Sequence, residues 1–298
     1  MTSNAATTPL DAASGEAAVR VATRLRDLVR VTGPDAESYL NRMLSNDVAK
    51  VPVKGSQDAL LLTAKARVIA PVRLVRRAVE EFVLLTEPGL GRELARQLVR
   101  ARFAAKLEVV EEPGCEIVLV LGAGWQPAAS DLAAACADFG TPGWELVDAV
   151  APAPAAAVPI AADELERLRI RARTARFGLE IDDRVMPAEA GLVERNIAFA
   201  KGCYPGQEPV ARLHYRGHAN RGLRALALAP AADGAEANLP PYDTPVLLDG
   251  KEVGRVTSAV VAGPDTAPGE LLALAYVRVE VAADAQLEVA GAAARQLA

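Results

Sequence analysis

Large rings are scarce in this chain: Phe, Tyr and Trp together supply 4% of its 298 residues. Ala, Val and Leu must therefore fill most of any core. Histidine occurs twice, at His214 and His218, so a histidine-based triad has only those two residues to draw on. The three cysteines, Cys115, Cys136 and Cys203, are odd in number and widely scattered. That pattern argues against a disulfide framework and suits a reducing cytoplasm. Long hydrophobic runs are missing too. Residues 117–125 form the longest, well short of the about 20 needed to cross a bilayer, so no membrane partner is expected. Residues 1–18 lack a basic start and an unbroken apolar stretch, with Asp11 and Glu16 interrupting them. They read as a flexible tail and not a targeting segment. The formal net charge of −5 argues against general nucleic-acid binding.

What is present is globular, with 51% hydrophobic and 24% charged residues in a chain long enough for two or three packed modules. Residues 19–112 read as alternating strands and helices. Gly33-Pro34-Asp35 starts a helix that carries Tyr39, Leu40, Met43 and Leu44 on one face. Residues 59–63, 68–75 and 82–85 are strand-like. A second helix follows Pro88, with Leu90, Leu94, Leu98 and Val99 opposed to Arg92, Glu93, Arg96 and Arg100. Residues 107–110 return as a strand, an order that points to a ferredoxin-like layer. A similar order begins again within residues 113–222: strand 117–121, helix 127–139, strand 144–147. An Ala/Pro-rich connection at 149–159 and a helix capped by Asp163 follow. Residues 223–298 change to short apolar runs separated by Asp249-Gly250-Lys251 and Gly263-Pro264-Asp265. They predict a small antiparallel β-barrel, and the fold class expected of the whole is α+β.

The segment richest in chemistry is Lys201-Gly202-Cys203-Tyr204-Pro205-Gly206-Gln207-Glu208. It sets an ammonium, a thiol, a phenol, an amide and a carboxylate among residues that break helix and strand, the make-up of a functional loop. An ordinary turn with a buried Cys and Tyr is the plainer alternative. Cys203 is the one cysteine in a polar, glycine-rich context, two residues from Lys201. Nearby positive charge favours a thiolate, so a nucleophile, a redox-sensitive thiol or a transient metal ligand are all open to it. Cys115 and Cys136 sit in apolar contexts and read as structural.

This octapeptide, with Val210-Ala211-Arg212 and Arg216-Gly217 after it, resembles the signature of the YgfZ family. These are folate-binding proteins related in fold to the aminomethyltransferase (T-protein) of the glycine cleavage system. They support maturation or repair of certain iron–sulfur enzymes. The resemblance extends through Gly178-Leu179-Glu180, Pro187-Ala188-Glu189-Ala190-Gly191-Leu192, Tyr39-Leu40, Ser45-Asn46-Asp47-Val48, Leu61-Leu62-Thr63 with Lys65, and residues 253–258. Ala66-Arg67 and Pro209 depart from the family pattern. The resemblance implies two facing ferredoxin-like α/β halves around a central site, plus the barrel. It also implies tetrahydrofolate or a derivative, with or without a polyglutamate tail, as the bound small molecule. Iron–sulfur client proteins or their assembly machinery are the implied partners, and any part in tRNA modification is indirect. Folate would lie between the halves near Glu189, whose carboxylate matches the position that holds the polar edge of a pterin. Tyr204, Gln207, Glu208, Arg212 and Arg221 are the other implied folate contacts. Cys203 and Lys201 would act at the cleft mouth. T-proteins carry an acid near the place that Ala70-Pro71 occupies here. Without it, aminomethyl transfer is disfavoured, though a folate-dependent one-carbon transferase remains an alternative.

Other motifs carry less. His214 and His218 have helical metal spacing, but Gly217 and Gly222 argue against a helix, and no metal site is expected. Residues 120–127 mimic a dinucleotide fingerprint with Pro127 in place of the third glycine, and read better as a strand-to-helix turn. Arg167, Arg169, Arg171, Arg173 and Arg176 read as a solvated helix face and its exit. The basic residues from Lys201 to Arg224 suit a polyanionic small ligand, with RNA as the other class of ligand.

Overall fold

Thirteen residues of alternating character, Arg20–Thr32, form β1, the spine of the main sheet. The structure, a computed structural model, describes residues 18–147, 156–230, 238–264 and 266–297. The expected tail lies outside these apart from Ala18, as does most of the 149–159 connection. Strand β1 pairs antiparallel with β4 (Glu81–Thr86) on one side and with β5 (Glu108–Leu121) on the other. Because β5 runs on without a break past residue 112, both α/β regions share one sheet. Its order is β2 (Ser56–Leu62), β3 (Val68–Ala78), β4, β1, β5, β7 (Gly143–Leu146), β6 (Ala133–Cys136). The short β8 (Val158–Pro159) joins the start of β1 in parallel. The sheet curls until its outer strands approach, and the Ala135 N–H of β6 donates to Ser56 Oγ of β2 at 2.9 Å.

Two helices cover one face of the sheet. α1 (Ala36–Met43) and α2 (Gly91–Ala101) help bury Leu40, Leu44, Leu94 and Leu98 against Val29, Val31, Leu74, Phe82 and Leu84. Inside the curl, Leu28, Val75, Val83, Leu85 and Ile117 pack on Leu132, Ala134 and Val147. That second core overturns the expected helix at 127–139. The alanine run has helical propensity, but pairing with β7 makes it a strand whose Ala133, Ala134 and Cys136 are buried. Tertiary burial of both faces of a short strand decides the matter. The segment 120–127 accordingly leads from strand through turn to strand, without the helix that a dinucleotide site requires.

α3 (Ala162–Arg171) starts two residues earlier than a cap at Asp163 would place it; Ala161 is the N-cap, and Asp163 lies in the first turn. There its charge favours the helix N-terminus without a capping hydrogen bond. Turns and the single-turn α4 (Val193–Asn196) lead to α5 (Gln207–Arg216), which holds His214. The glycines therefore end a helix after His214 instead of preventing one. The remaining strands are β9 (Arg221–Leu228), β10 (Pro245–Leu248), β11 (Lys251–Val261), β12 (Leu271–Arg278), β13 (Leu287–Val289) and β14 (Ala292–Gln296). They close a barrel in the order β10-β11-β12-β9-β14-β13, and the chain as a whole is α+β. Gly254 permits this closure: a Cβ there would meet the Tyr276 carbonyl oxygen at 2.1 Å. The Tyr276 hydroxyl in turn donates to the Glu180 carbonyl at 2.7 Å, docking the barrel on the turn segment before α4. Among the described residues, no helix is long and apolar enough to cross a membrane.

Candidate functional site

The octapeptide forms a braced loop leading into α5. Gly206 is its pivot, with φ of +82°, and a Cβ there would lie 2.6 Å from the Thr63 carbonyl oxygen. Only glycine combines that backbone with that approach. Pro209 falls in the first turn of α5, where no N–H is needed, so it does not disturb the exit. Lys201 Nζ donates to the carbonyl oxygens of Asn41, Leu44 and Asn46 at 2.7, 2.7 and 2.6 Å. Asn41 and Leu44 belong to the C-terminal end of α1, where carbonyls lack helical partners, and Asn46 lies just beyond it. Burial pulls the ammonium down to about 8, with Asp47 opposing the shift. Tyr204 is buried, and its hydroxyl, without a hydrogen-bond partner among the described residues, is pushed up to about 12 by desolvation. Lys201 Nζ sits 5.4 Å from the centre of its ring.

Cys203 is exposed on this braced loop. The hydrogen bonds of Lys201 go to backbone carbonyls, so its charge is committed to α1. Cys136, by contrast, is buried and pushed up to about 12, chiefly by desolvation. Cys115 is half-buried and raised for the same principal reason. Tyr204, Gln207, Glu208 and Arg212 line a shallow hollow of about 380 Å³ beside the thiol loop. Glu189 and Arg221 are brought together elsewhere. Arg221 Nε donates to Glu189 Oε1 at 2.9 Å, and the Met186 N–H donates to Oε2 at 2.8 Å. Both oxygens of Glu189 are thus engaged within the protein. His214 stacks on Phe199 with ring centroids 4.1 Å apart, and His218 lines the same hollow as His214. Among the described residues, no group of three or more His, Cys, Asp and Glu is placed to hold a metal.

A more enclosed concavity is a cleft of about 340 Å³ between the inside of the curled sheet and the segment from α3 to α4. None of the eight residues picked out above lines it. Its sheet wall is ionic. Glu145, fully buried, accepts from Arg24 Nη1 at 2.7 Å, Arg26 Nε at 3.0 Å and Arg73 Nη1 at 2.6 Å. Asp138 accepts twice from Arg73 Nη2, at 3.0 and 3.1 Å, while Asp58 accepts from Arg73 Nε at 2.8 Å. Glu87 pairs with Arg26 at 3.0 Å. Desolvation alone would raise both buried acids. The surrounding arginines outweigh it, holding Glu145 at about 2 and Asp138 well below the usual carboxylate range. Sequence reading passed over these residues. The signal was present in β1, where Arg24 and Arg26 recur with the period of one strand face.

The other wall corrects the reading of the arginine run. Arg169 is buried, not solvated. It donates to Glu180 Oε2 at 3.0 Å, to Glu166 Oε1 at 2.7 Å and to Ser258 Oγ of the barrel at 2.7 Å. A period of two spreads arginines around a helix of 3.6 residues per turn, so one of them must face inward. Arg176 and Arg195 stand at the cleft with side chains 40% and 39% exposed. Leu85, Phe139, Ile160, Leu165, Ile181 and Leu192 give the cleft apolar surface. Ala70 is buried and Pro71 lines the cleft, so no acid stands at that point of β3. Asn196 lines the cleft as well, with its side-chain oxygen buried and without a hydrogen-bond partner among the described residues.

Comparison with known proteins gives concordant matches. A family model described as the CAF17 C-terminal beta-barrel domain matches residues 184–296. A tRNA-modifying protein YgfZ from Edwardsiella ictaluri is 28% identical over 90% of this chain and 87% of its own. The protein of the same description from Pectobacterium atrosepticum is 24% identical over 91% and 86%. An aminomethyltransferase from Listeria welshimeri is 23% identical over 77% and 71%. Among solved structures, the glycine cleavage system aminomethyltransferase T from Bartonella henselae superposes with a TM-score of 0.74. That match has 17% identity and covers 95% of this chain and 86% of that one. It establishes the shared fold.

Proposed function

We propose that the chain is a YgfZ-family protein that binds a reduced folate in the central cleft and supports iron–sulfur enzymes, tRNA-modifying ones among them. The observation that carries this reading is the cleft itself. Its volume of about 340 Å³ suits a small molecule, and such pockets run from roughly 300 to 1,000 Å³. Phe139, Leu85, Ile181 and Leu192 offer apolar surface to a flat ring. Arg176 and Arg195, both partly exposed, suit the carboxylates of a glutamyl tail, because a guanidinium fork donates to a carboxylate at two points.

Within this proposal Cys203 is the working thiol, presented to iron–sulfur clients in the cytoplasm. Lys201 is a positioning residue that ties the thiol loop to α1. Tyr204, Gln207, Glu208 and Arg212 give the adjoining hollow a mixed polar surface for a client or for the ligand's tail. The Glu189–Arg221 pair braces the segment that carries α4, and so acts on the cleft at one remove. Aminomethyl transfer is disfavoured by Ala70-Pro71 and by the pairing of the cleft acids Asp58, Glu87 and Asp138 with arginines. A base that must take up a proton is ill served by such pairing.

Titration calorimetry with 5-formyl-tetrahydrofolate tests the reading, with melting temperature as a second measure. Ligand at 100 times its dissociation constant is expected to stabilise the fold by about 2.7 kcal/mol. No heat and no melting shift would remove folate from the cleft. Turnover in an aminomethyl-transfer assay would favour the transferase instead.

A further inference from the structure

We propose that Asn196 reads the lactam edge of the heterocycle that fills the cleft, an adjacent N–H and C=O such as a pterin or a guanine presents. The inference rests on the cleft being the ligand site. Asn196 closes α4 and is 5% exposed. Its main chain is fully engaged. The N–H donates to the Leu192 carbonyl at 3.1 Å, and the carbonyl accepts from Ser45 Oγ at 2.6 Å. Ser45 Oγ also accepts the Leu60 N–H at 2.8 Å, and Asn46 Nδ2 donates to the Arg195 carbonyl at 2.9 Å. The motif Ser45-Asn46 therefore pins residues 195 and 196 to the sheet.

The side chain contrasts with this. Its oxygen is buried with no partner, and the carboxamide makes no hydrogen bond to any described residue. Buried polar atoms are nearly always paired, so an orphan held this firmly at a cavity wall points to a missing partner. The cleft's own donors do not serve. Arg24, Arg26 and Arg73 direct their hydrogen bonds at Glu145, Asp138 and Asp58, and Arg195 faces Asp138 at 3.4 Å.

A carboxamide offers one acceptor and one donor side by side. Its complement is a donor beside an acceptor on one rigid edge, the relationship by which Asn reads a base edge in nucleic acids. The fit survives turning the amide over, because both of its ends are free. Leu192 and Ile181, also lining the cleft, supply the apolar surface a flat ring needs. A carboxylate at this position would only accept. The amide instead selects an uncharged edge with both functions.

The test is calorimetry on the full chain with 5-formyl-tetrahydrofolate, guanosine and p-aminobenzoylglutamate, the last being the folate tail without its bicyclic ring. Asn196→Ala and Asn196→Asp are expected to weaken the folate at least tenfold. The tail fragment is expected to bind wild type and variants alike. The ligand-free melting temperature is expected to stay level or rise in Asn196→Leu, since the lost group had no partner; a purely structural amide would show the reverse. Should Asn196→Ala not fold, the near-isosteric Asn196→Asp carries the same comparison. Folate binding unchanged in the variants overturns the assignment and leaves the folate reading standing. Guanosine bound by wild type and lost in the variants, with no folate binding, removes folate and keeps the lactam reader. Neither heterocycle bound by wild type overturns both.

Discussion

Lys201 Nζ lies 2.7 Å from the carbonyl oxygen of Leu44, the residue that caps α1. With the bonds to Asn41 and Asn46, this makes the lysine a clamp between the thiol loop and the first helix. A hydrogen bond to a charged group contributes about 1.5–3 kcal/mol. Lys201→Ala removes the cation from three carbonyls, and urea unfolding is expected to show a loss of about 2–3 kcal/mol. Cys203 alkylation in the folded variant is expected to speed up, because a loosened loop exposes the thiol further. A stable variant with slowed alkylation would instead assign the lysine to thiolate activation.

Cys203→Ser should leave stability within about 0.5 kcal/mol of wild type, because an exposed side chain replaced by a near-isostere creates no cavity. Iodoacetamide should label Cys203 first, half-buried Cys115 more slowly, and Cys136 last, since burial keeps Cys136 both inaccessible and protonated. Complementation of a strain lacking its own homologue is expected to fail for Cys203→Ser, read as low activity of iron–sulfur enzymes. Full complementation would make the thiol dispensable.

The barrel and the first helices were legible because their signals are local: turn residues between short apolar runs, and one-sided faces in α1 and α2. The loop's prominence was legible from its composition. The cleft was not. Its wall joins Arg24, Arg73, Asp138 and Glu145 from four separate stretches, and only the curl of the sheet makes them neighbours. Ser45-Asn46 stood out by resemblance, but what they hold, Asn196, lies about 150 residues away, as the Ser45–Asn196 separation of 151 shows. The strand at 133–136 was hidden by alanines whose propensity is helical and whose partner strand lies in β7.

Glu189 and Arg221 form a partly buried pair in which the carboxylate also accepts the Met186 N–H. Glu189→Ala is expected to cost about 1–3 kcal/mol by leaving that N–H and the guanidinium short of an acceptor. Arg221→Ala should cost less, because Glu189 keeps its backbone donor. A double-mutant cycle read by thermal unfolding should return a coupling of about 0.5–3 kcal/mol. Folate affinity of Glu189→Ala is expected to stay within a few-fold of wild type, since the carboxylate does not line the cleft. A hundredfold loss of affinity with unchanged melting would move the ligand to Glu189.

The ionic wall makes stability depend on acid in a definite direction. Glu145 is held at about 2, against an ordinary 4.5, by Arg26, Arg73 and Arg24, which outweigh its desolvation. Its folded value is depressed, so below about 4.5 the unfolded chain binds the proton first. The stabilisation is fully present above that pH and drains away as the pH falls towards about 2. Asp138 shifts in the same direction and adds to the effect. For Glu145 alone, a displacement of this size corresponds to about 3 kcal/mol. Melting temperature is therefore expected to be level from pH 7 to about 5 and to drop steeply below. Glu145→Gln should lower the plateau by about 3–5 kcal/mol, since it leaves three arginines facing a neutral amide, and should make the acid limb shallower. An acid limb of unchanged steepness in Glu145→Gln would mean that other carboxylates govern acid unfolding and that the wall is already broken before Glu145 takes up its proton.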